Sequence, residues 1–592
     1  MKNNTLSSLI TGYEESSGNK KSFFSLKLSG KVSRKNAKLL SPFKNLADAL
    51  SYTKLRNYGI LFLVFGLLTI FIQFAKSSLG KAGADSYTTL IIGAAFSLLA
   101  AALLAFDKPL CEGLQDWIVT DFILFDFLRI KRTYVKGGKK MNLPTAIFIG
   151  LLLGGIGYFI PVWIVAVSLG SLIYLALAIS SPEFSLFTTL LVLPITPMFE
   201  KDTVVLCVLI AICTLSFTRK VLSGKRVYNL EQYDVVIFLM LFFMLISGIF
   251  LGGVSSFVNS LFLLTLTLGY FAASNIITNR RLFECSLSAI SLSSVPIAIM
   301  TVTEFIRSAA TPDASFPNYN LHATFTSSGT LSAFLTIAAI CSYLLFKYFE
   351  RSRYGIFFGA LLLLDTVSII LAVRVDALLT LLISAIIITA ASRNRKALVL
   401  TIIIYISLHF IYLIPEDAFI AFAQKFQFDT ADISERAAAI TASLKLLLQN
   451  LLFGVGIGKA PFSNAISKLS GVAYTSSGNM ILQLACEGGI FVPLLFLLLM
   501  LIRSIHVYRY LPYAHKSVTS ASLTMSGAIY SLLLLGIFGN VFGDPAIYCL
   551  FFVVLGIGSA MLRASKTEHD EKLGYFIDTL SMHSSSINID LE

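Results

Sequence analysis

Apolar residues fill this chain in long runs separated by short polar connections. Helices that cross a bilayer need roughly 17–25 such residues, and about sixteen runs meet or approach that length. They begin with 58–75 and 87–106 and close with 521–541 and 545–562. Some boundaries are soft. Runs 144–160 and 161–180 meet at Pro161, 185–199 lies between Pro182 and Glu200, and 375–391 follows directly on 354–373. After 397–414 comes a long excursion over 415–488. The pattern predicts an all-α integral membrane protein, a polytopic helical bundle. Its expected parts are a basic tail (1–57), an N-terminal transmembrane region (58–233), a second transmembrane domain (234–562) and a polar tail (563–592).

Inside the excursion the periodicity changes. In SERAAAITASLKLLLQNLL, Ile440, Leu444, Leu447, Leu448, Leu451 and Leu452 recur at helical spacing, with Lys445 and Gln449 opposite. That predicts an amphipathic helix. Asp432 and Ser434 are its candidate N-caps, and Glu435 suits the positive end of the helix dipole. Arg436 stands four residues before Ile440, on the apolar stripe. GVGIGKAPF (454–462) follows as a helix stop and turn, because a helix and not a strand precedes it. A further helix from Asn479 would bring Asn479 and Glu487 to one face. They read equally as a capping asparagine and an interfacial glutamate. Segment 109–128 mixes carboxylates with aromatics and reads as an interfacial helix.

Composition agrees with this class. The chain is 56% hydrophobic and 13% charged, with mean hydropathy +0.80, where soluble domains carry about 25% charged residues. Forty-six Lys and Arg against 33 Asp and Glu leave a net charge of +13. The basic residues cluster in alternate connections, which the positive-inside bias explains without a nucleic-acid partner. That bias places both termini in the cytoplasm and loops 304–326 and 415–488 outside. The seven cysteines lie mostly in apolar runs, without disulfide or metal spacing. The first 50 residues lack the apolar core of a signal peptide.

Few polar residues then remain to carry chemistry. Arg374 and Asp376 interrupt about forty apolar residues, and an arginine so placed must reach water, a partner or an anion. They form either a hairpin turn or part of an anion site. Arg436 near a helix start suits a phosphate at headgroup depth, since guanidinium binds oxyanions bidentately. His322 is the histidine of the outward loops, and no HExxH or metal cluster is present.

Taken in order, these segments resemble the O-antigen ligase and O-antigen polymerase superfamily. FPNYNLHATF is similar to that family's Asn-Pro-Asn segment, with Asn318 and Asn320 matching and Tyr319 in place of the central Pro. LAVRVDALL is similar to its Ser-Arg-Gly-Ala segment, Arg374 supplying the arginine and Val373 replacing the serine. The block 434–462 matches through Arg436, and NMILQLACEGGI through Asn479, Leu482, Glu487 and Gly489. The likeness covers roughly 230–562.

The resemblance implies a GT-C-like membrane glycosyltransferase of the bacterial cytoplasmic membrane. It would polymerise or ligate glycan carried on undecaprenyl diphosphate, inverting the anomeric centre without metal or cofactor. Its implied partners are a glycan or lipid acceptor, membrane lipids and other polysaccharide-assembly proteins. Arg374, Arg436, Asn479, Asn318 and Asn320 would bind substrate. The family's histidine before the last asparagine is Gly478 here, which leaves Glu487 and His322 as the implied acid–base residues. A lipid-linked oligosaccharide transporter and a non-catalytic lipid-glycan-binding relative are the alternatives.

Overall fold

A computed structural model describes residues 53–79, 86–110, 141–223, 226–310, 321–350, 352–372, 374–393, 430–511 and 516–564, with isolated positions beside them. Nearly all of these residues are helical. Helices α1 (Leu55–Ser78), α2 (Ser86–Leu104) and α3 (Leu143–Phe159) pack side by side at the start of the chain. Small residues let them approach. A Cβ on Gly66 of α1 would fall 2.5 Å from Ser97 Oγ of α2, and one on Gly150 of α3 only 2.8 Å from the Leu61 carbonyl oxygen. Such close backbone contact drives helix association where lipid removes the hydrophobic incentive.

α4 (Val162–Ser180), α5 (Pro182–Val192), α6 (Asp202–Leu222), α7 (Gln232–Phe250), α8 (Gly253–Ile276) and α9 (Arg280–Ala309) follow. Next come α10 (Ser328–Tyr348), α11 (Arg353–Leu371) and α12 (Val375–Arg393). The excursion contributes α13 (Thr430–Gln449), α14 (Lys459–Ser470) and α15 (Met480–Gly488), before α16 (Phe491–Tyr510), α17 (Lys516–Phe538) and α18 (Pro545–Ala564). One continuous apolar core runs through α5–α12 and α15–α18, with α10, α17 and α18 the most enclosed, while α13 and α14 pack in a smaller cluster with α15.

Among the described residues, twelve helices are long and apolar enough to cross a membrane, fewer than the sixteen runs of the sequence. Run 144–160 becomes α3, which at 17 residues is shorter than any of those twelve, and 375–391 keeps only Asp376–Ile388 as a short apolar stretch. Run 185–199 is broken: α5 stops at Val192, and Leu193–Met198 tightens into a 3₁₀ turn holding Pro194 and Pro197. Proline lacks the N–H that would continue the α-helix. Leu186, Phe187 and Leu193 are nevertheless fully buried, so this broken piece is packed inside the bundle. Run 397–414 and nearly all of 109–128 lie outside the described residues.

Arg503 lies inside α16 and is buried. Its guanidinium fills the notch left by Gly558, where a Cβ would meet Nη2 at 2.4 Å, and Nη1 donates to Ser559 Oγ at 3.3 Å. The helix of the excursion starts at Thr430, so Asp432 and Ser434 lie within it and are not its N-caps.

The bundle has two chemically distinct ends. At one, Glu183 pairs with Lys220 at 3.0 Å and Arg226 at 2.5 Å, while Arg563 pairs with Glu231 at 3.1 Å. Lys220, Arg226 and Arg563 therefore share an end, where Lys27–Leu28 of the N-terminal tail also pair with Tyr228–Asn229. The other end gathers Pro194, His322–Ser328, Arg374 and α13–α15.

Candidate functional site

Three local structures build a cleft of about 170 Å³ at the loop end. The first is the start of α10. Ser327 Oγ accepts from Thr330 N–H at 3.2 Å, and Thr330 Oγ1 accepts in return from Ser327 N–H at 3.2 Å, a reciprocal cap. Ser328 and Gly329 occupy the first turn, where helix N–H groups lack intrahelical acceptors and favour an anion. The second is the α11–α12 turn. Arg374 Nε donates to Asp376 Oδ1 at 2.9 Å, and a second guanidinium nitrogen donates to Oδ2. A Cβ on Gly329 would lie 3.3 Å from Arg374 Nη2, so the helix start and the guanidinium stand together.

The third is Arg436, exposed near the start of α13. Its Nη1 donates to the Phe538 carbonyl at 3.2 Å, at the end of α17. Among the described residues it forms no ion pair with a carboxylate. One cleft thus holds two guanidinium groups and a helix N-terminus against a single carboxylate, Asp376. That balance suits an oxyanion.

The amphipathic helix packs on part of the face expected. Ala442, Leu446 and Leu447 are buried in a cluster with residues of α14 and α15, and Ile440 and Leu444 pack half-buried against it, whereas Leu448, Leu451 and Leu452 are exposed. The glycine block then runs beside the end of α15: Val455 N–H donates to Cys486 O at 2.8 Å and Gly456 N–H to Glu487 O at 3.2 Å.

Glu487 belongs to a second, adjoining cavity of about 340 Å³. Its Oε1 accepts from Gln483 Nε2 at 2.6 Å and its Oε2 from Gly458 N–H at 3.1 Å. Burial pushes its carboxyl above the ordinary glutamate value, against those hydrogen bonds. Gln483 Oε1 in turn accepts from Ser477 N–H at 2.7 Å, so Glu487 is tied to the turn before α15. Asn540 borders both this cavity and the arginine cleft.

Gly478 lies on a third hollow, lined also by Arg436, Tyr474 and Ser476. Its φ is +76°, a region that glycine enters freely and most other residues do not. Space is not the constraint, since a Cβ there would be 3.7 Å from the Ile440 side chain.

Of the residues singled out in the sequence, Arg374 and Arg436 share one cleft, and Glu487 stands in the next. Asn479 is the buried N-cap of α15, its Oδ1 accepting from Ile481 N–H at 2.9 Å and Leu482 N–H at 3.2 Å. His322 is exposed and lines none of these hollows; its backbone N–H and that of Ala323 both donate to Glu304 Oε2, at 3.1 and 2.9 Å. Asn318 and Asn320 lie outside the described residues. Sequence reading missed the start of α10 and the strip around Asn540. Thr326-Ser327-Ser328-Gly329 before an apolar run, and Gly543-Asp544-Pro545 before another, were the available signals of helix starts. Asp544 Oδ1 does accept from Ala546 N–H at 2.9 Å, and its Oδ2 accepts from Thr326 Oγ1 at 3.2 Å, joining the two starts.

Long apolar helices around one core, with a polar site confined to one end, define a multi-pass α-helical membrane protein. Compared with known proteins, the chain matches no family model and no curated sequence.

Proposed function

We propose that this chain is a membrane glycosyltransferase that polymerises or ligates glycan carried on undecaprenyl diphosphate, at the outer face of the bacterial cytoplasmic membrane. One observation carries the reading: Arg374 and Arg436, distant in sequence, line a single cleft with the start of α10. Donors fixed in that way would hold the diphosphate as the bond to the sugar breaks and negative charge grows on the leaving oxygen. In this reading Glu487 takes the proton of the acceptor hydroxyl. It is part-buried, and its raised carboxyl is closer to a working base than an ordinary glutamate.

A second reading, a non-catalytic protein that binds lipid-linked glycan, is favoured by Gly478, which borders the Arg436 hollow without offering a base. A transporter finds less support. Glu284 is taken up by Arg280 at 2.7 Å, Asp365 is fully buried, and neither lines the cleft.

The test uses purified protein in nanodiscs with undecaprenyl-diphosphate glycan. Chain growth or acceptor transfer with release of undecaprenyl diphosphate, abolished in Arg436→Ala, is expected of the enzyme. Binding without release by the wild type would leave only the second reading.

A further inference from the structure

The cavity beside the arginine cleft has a chemistry of its own. Its polar lining includes the Asp202 and Glu487 carboxylates, the amides of Asn259, Gln483 and Asn540, the hydroxyls of Thr203 and Thr326, and Lys459. Phe542 and Tyr548 supply aromatic surface, held by edge-on contact at 5.5 Å between ring centroids. Much of this polarity is left for a ligand. Among the described residues no hydrogen bond engages the Asn540 side chain, and Asn259 uses only its Nδ2, donating to Ile457 O at 3.2 Å. Asp202 Oδ1 accepts from Thr203, while its second oxygen has no partner among the described residues.

Amides and carboxylates spaced around aromatic surface match a pyranose, whose hydroxyls both donate and accept while its C–H face packs on a ring. A volume of about 340 Å³ is at the small end of ligand pockets and limits the occupant to one or two sugar residues. Two carboxylates against one ammonium disfavour a phosphate or an acidic sugar. The charge of the arginine cleft next door is the reverse.

We infer that this cavity is a saccharide subsite for neutral or amino sugars, separated from the anion cleft by Asn540. The inference rests on the proposed function for the role of the bound sugar, as part of the glycan being transferred, though not for binding itself. A lipid-linked glycan would then lie across Asn540, with its diphosphate against Arg374 and Arg436 and its first sugars between Asn259 and Phe542. Position in the substrate would be read by charge: the anionic end is refused by the cavity and the neutral end gains nothing from the arginines.

The experiment measures binding by the full chain in nanodiscs of glycans freed by mild acid from the lipid-linked pool of the source cells. These probes carry no lipid and no diphosphate, and saturation-transfer NMR reports which sugars touch protein. Neutral glycans are expected to bind, to persist when inorganic diphosphate is added, and to weaken about tenfold in Asn540→Ala and Phe542→Ala. Phe542 helps to pack the core, whereas Asn540 does not, so the asparagine variant carries the test if the other misfolds. Absence of neutral-glycan binding, or binding unaffected by Asn540→Ala, overturns the inference. Glycan binding without any turnover of the lipid-linked substrate would overturn the proposed enzyme and leave the saccharide subsite standing.

Discussion

Arg374 and Arg436 share a cleft but are not equivalent. Arg374 is held on two sides by Asp376, which neutralises much of its charge and fixes its plane, whereas Arg436 spends one hydrogen bond on a carbonyl. A hydrogen bond to a charged group contributes about 1.5–3 kcal/mol, so Arg436→Ala should weaken diphosphate binding by roughly ten- to a hundredfold in isothermal titration. Asp376→Asn frees Arg374 from its counter-ion and should tighten inorganic diphosphate; an unchanged or weaker affinity would show that Asp376 serves mainly to aim the arginine. Glu487 makes a pH prediction. Its carboxyl titrates above the ordinary glutamate value in the fold, so ionising it costs stability as pH climbs past that value, and the cost is absent in acid. The melting temperature of Glu487→Gln relative to wild type should therefore rise between pH 4 and pH 8. Within the proposed function, Gly478→His tests whether a base at this position adds to Glu487. Histidine is among the residues that tolerate positive φ, and the strain costs about 1–2 kcal/mol. If a base is what limits the acceptor step, turnover increases in this variant; equal turnover with intact folding assigns the proton to another group.

At the scale of elements, the sequence was most legible where one periodicity ran uninterrupted. Twelve of the apolar runs became helices of crossing length because lipid demands both apolar side chains and internally satisfied backbone. Run 185–199 failed because hydropathy does not register the missing donors of Pro194 and Pro197. The stripe of α13 was legible in part: Ile440, Leu444 and Leu447 pack toward α14 and α15 as their spacing requires, but the buried face is centred nearer Ala442 and Leu446 and leaves Leu448 exposed. The arginine cleft could be read only in part, since motifs supplied Arg374 and Arg436 while Ser327 and Asn540 reach it through tertiary packing. The α10 cap now carries both roles. Removing an N-cap hydroxyl costs about 0.5–2 kcal/mol, so Ser327→Ala should lower the melting temperature and also loosen diphosphate, through a frayed first turn. Lower stability with unaltered diphosphate affinity would separate the cap from the site.

For the whole molecule, charge and chemistry are segregated. Carboxylates at one end are taken up by Lys220, Arg226 and Arg563, and the arginine cleft occupies the other. Positive residues flank the cytoplasmic ends of spans, which assigns the cleft to the outer side in the proposed function. Cysteine labelling checks it: in intact cells Ser476→Cys should react with a membrane-impermeant maleimide, and Ser223→Cys only after permeabilisation. Cys207, Cys213, Cys341, Cys486 and Cys549 are buried, whereas Cys285 is half-buried and Cys111 lies outside the described residues, so both variants are made with Cys111 and Cys285 replaced by serine. Reaction at Ser223 in intact cells would invert the topology and remove the outer-leaflet site.

The hydrogen bond from Arg436 to the Phe538 carbonyl has a thermodynamic consequence. A diphosphate that draws Arg436 away releases the end of α17, and the two residues beyond Phe538 lead to Asn540, the shared wall of both hollows. Filling one hollow then alters the wall of the other, and linkage requires the effect to be mutual. Whatever factor inorganic diphosphate imposes on glycan affinity, glycan must impose on diphosphate. A factor close to one would mean that the wall is rigid, and a larger factor that donor phosphate and sugar are sensed as one molecule.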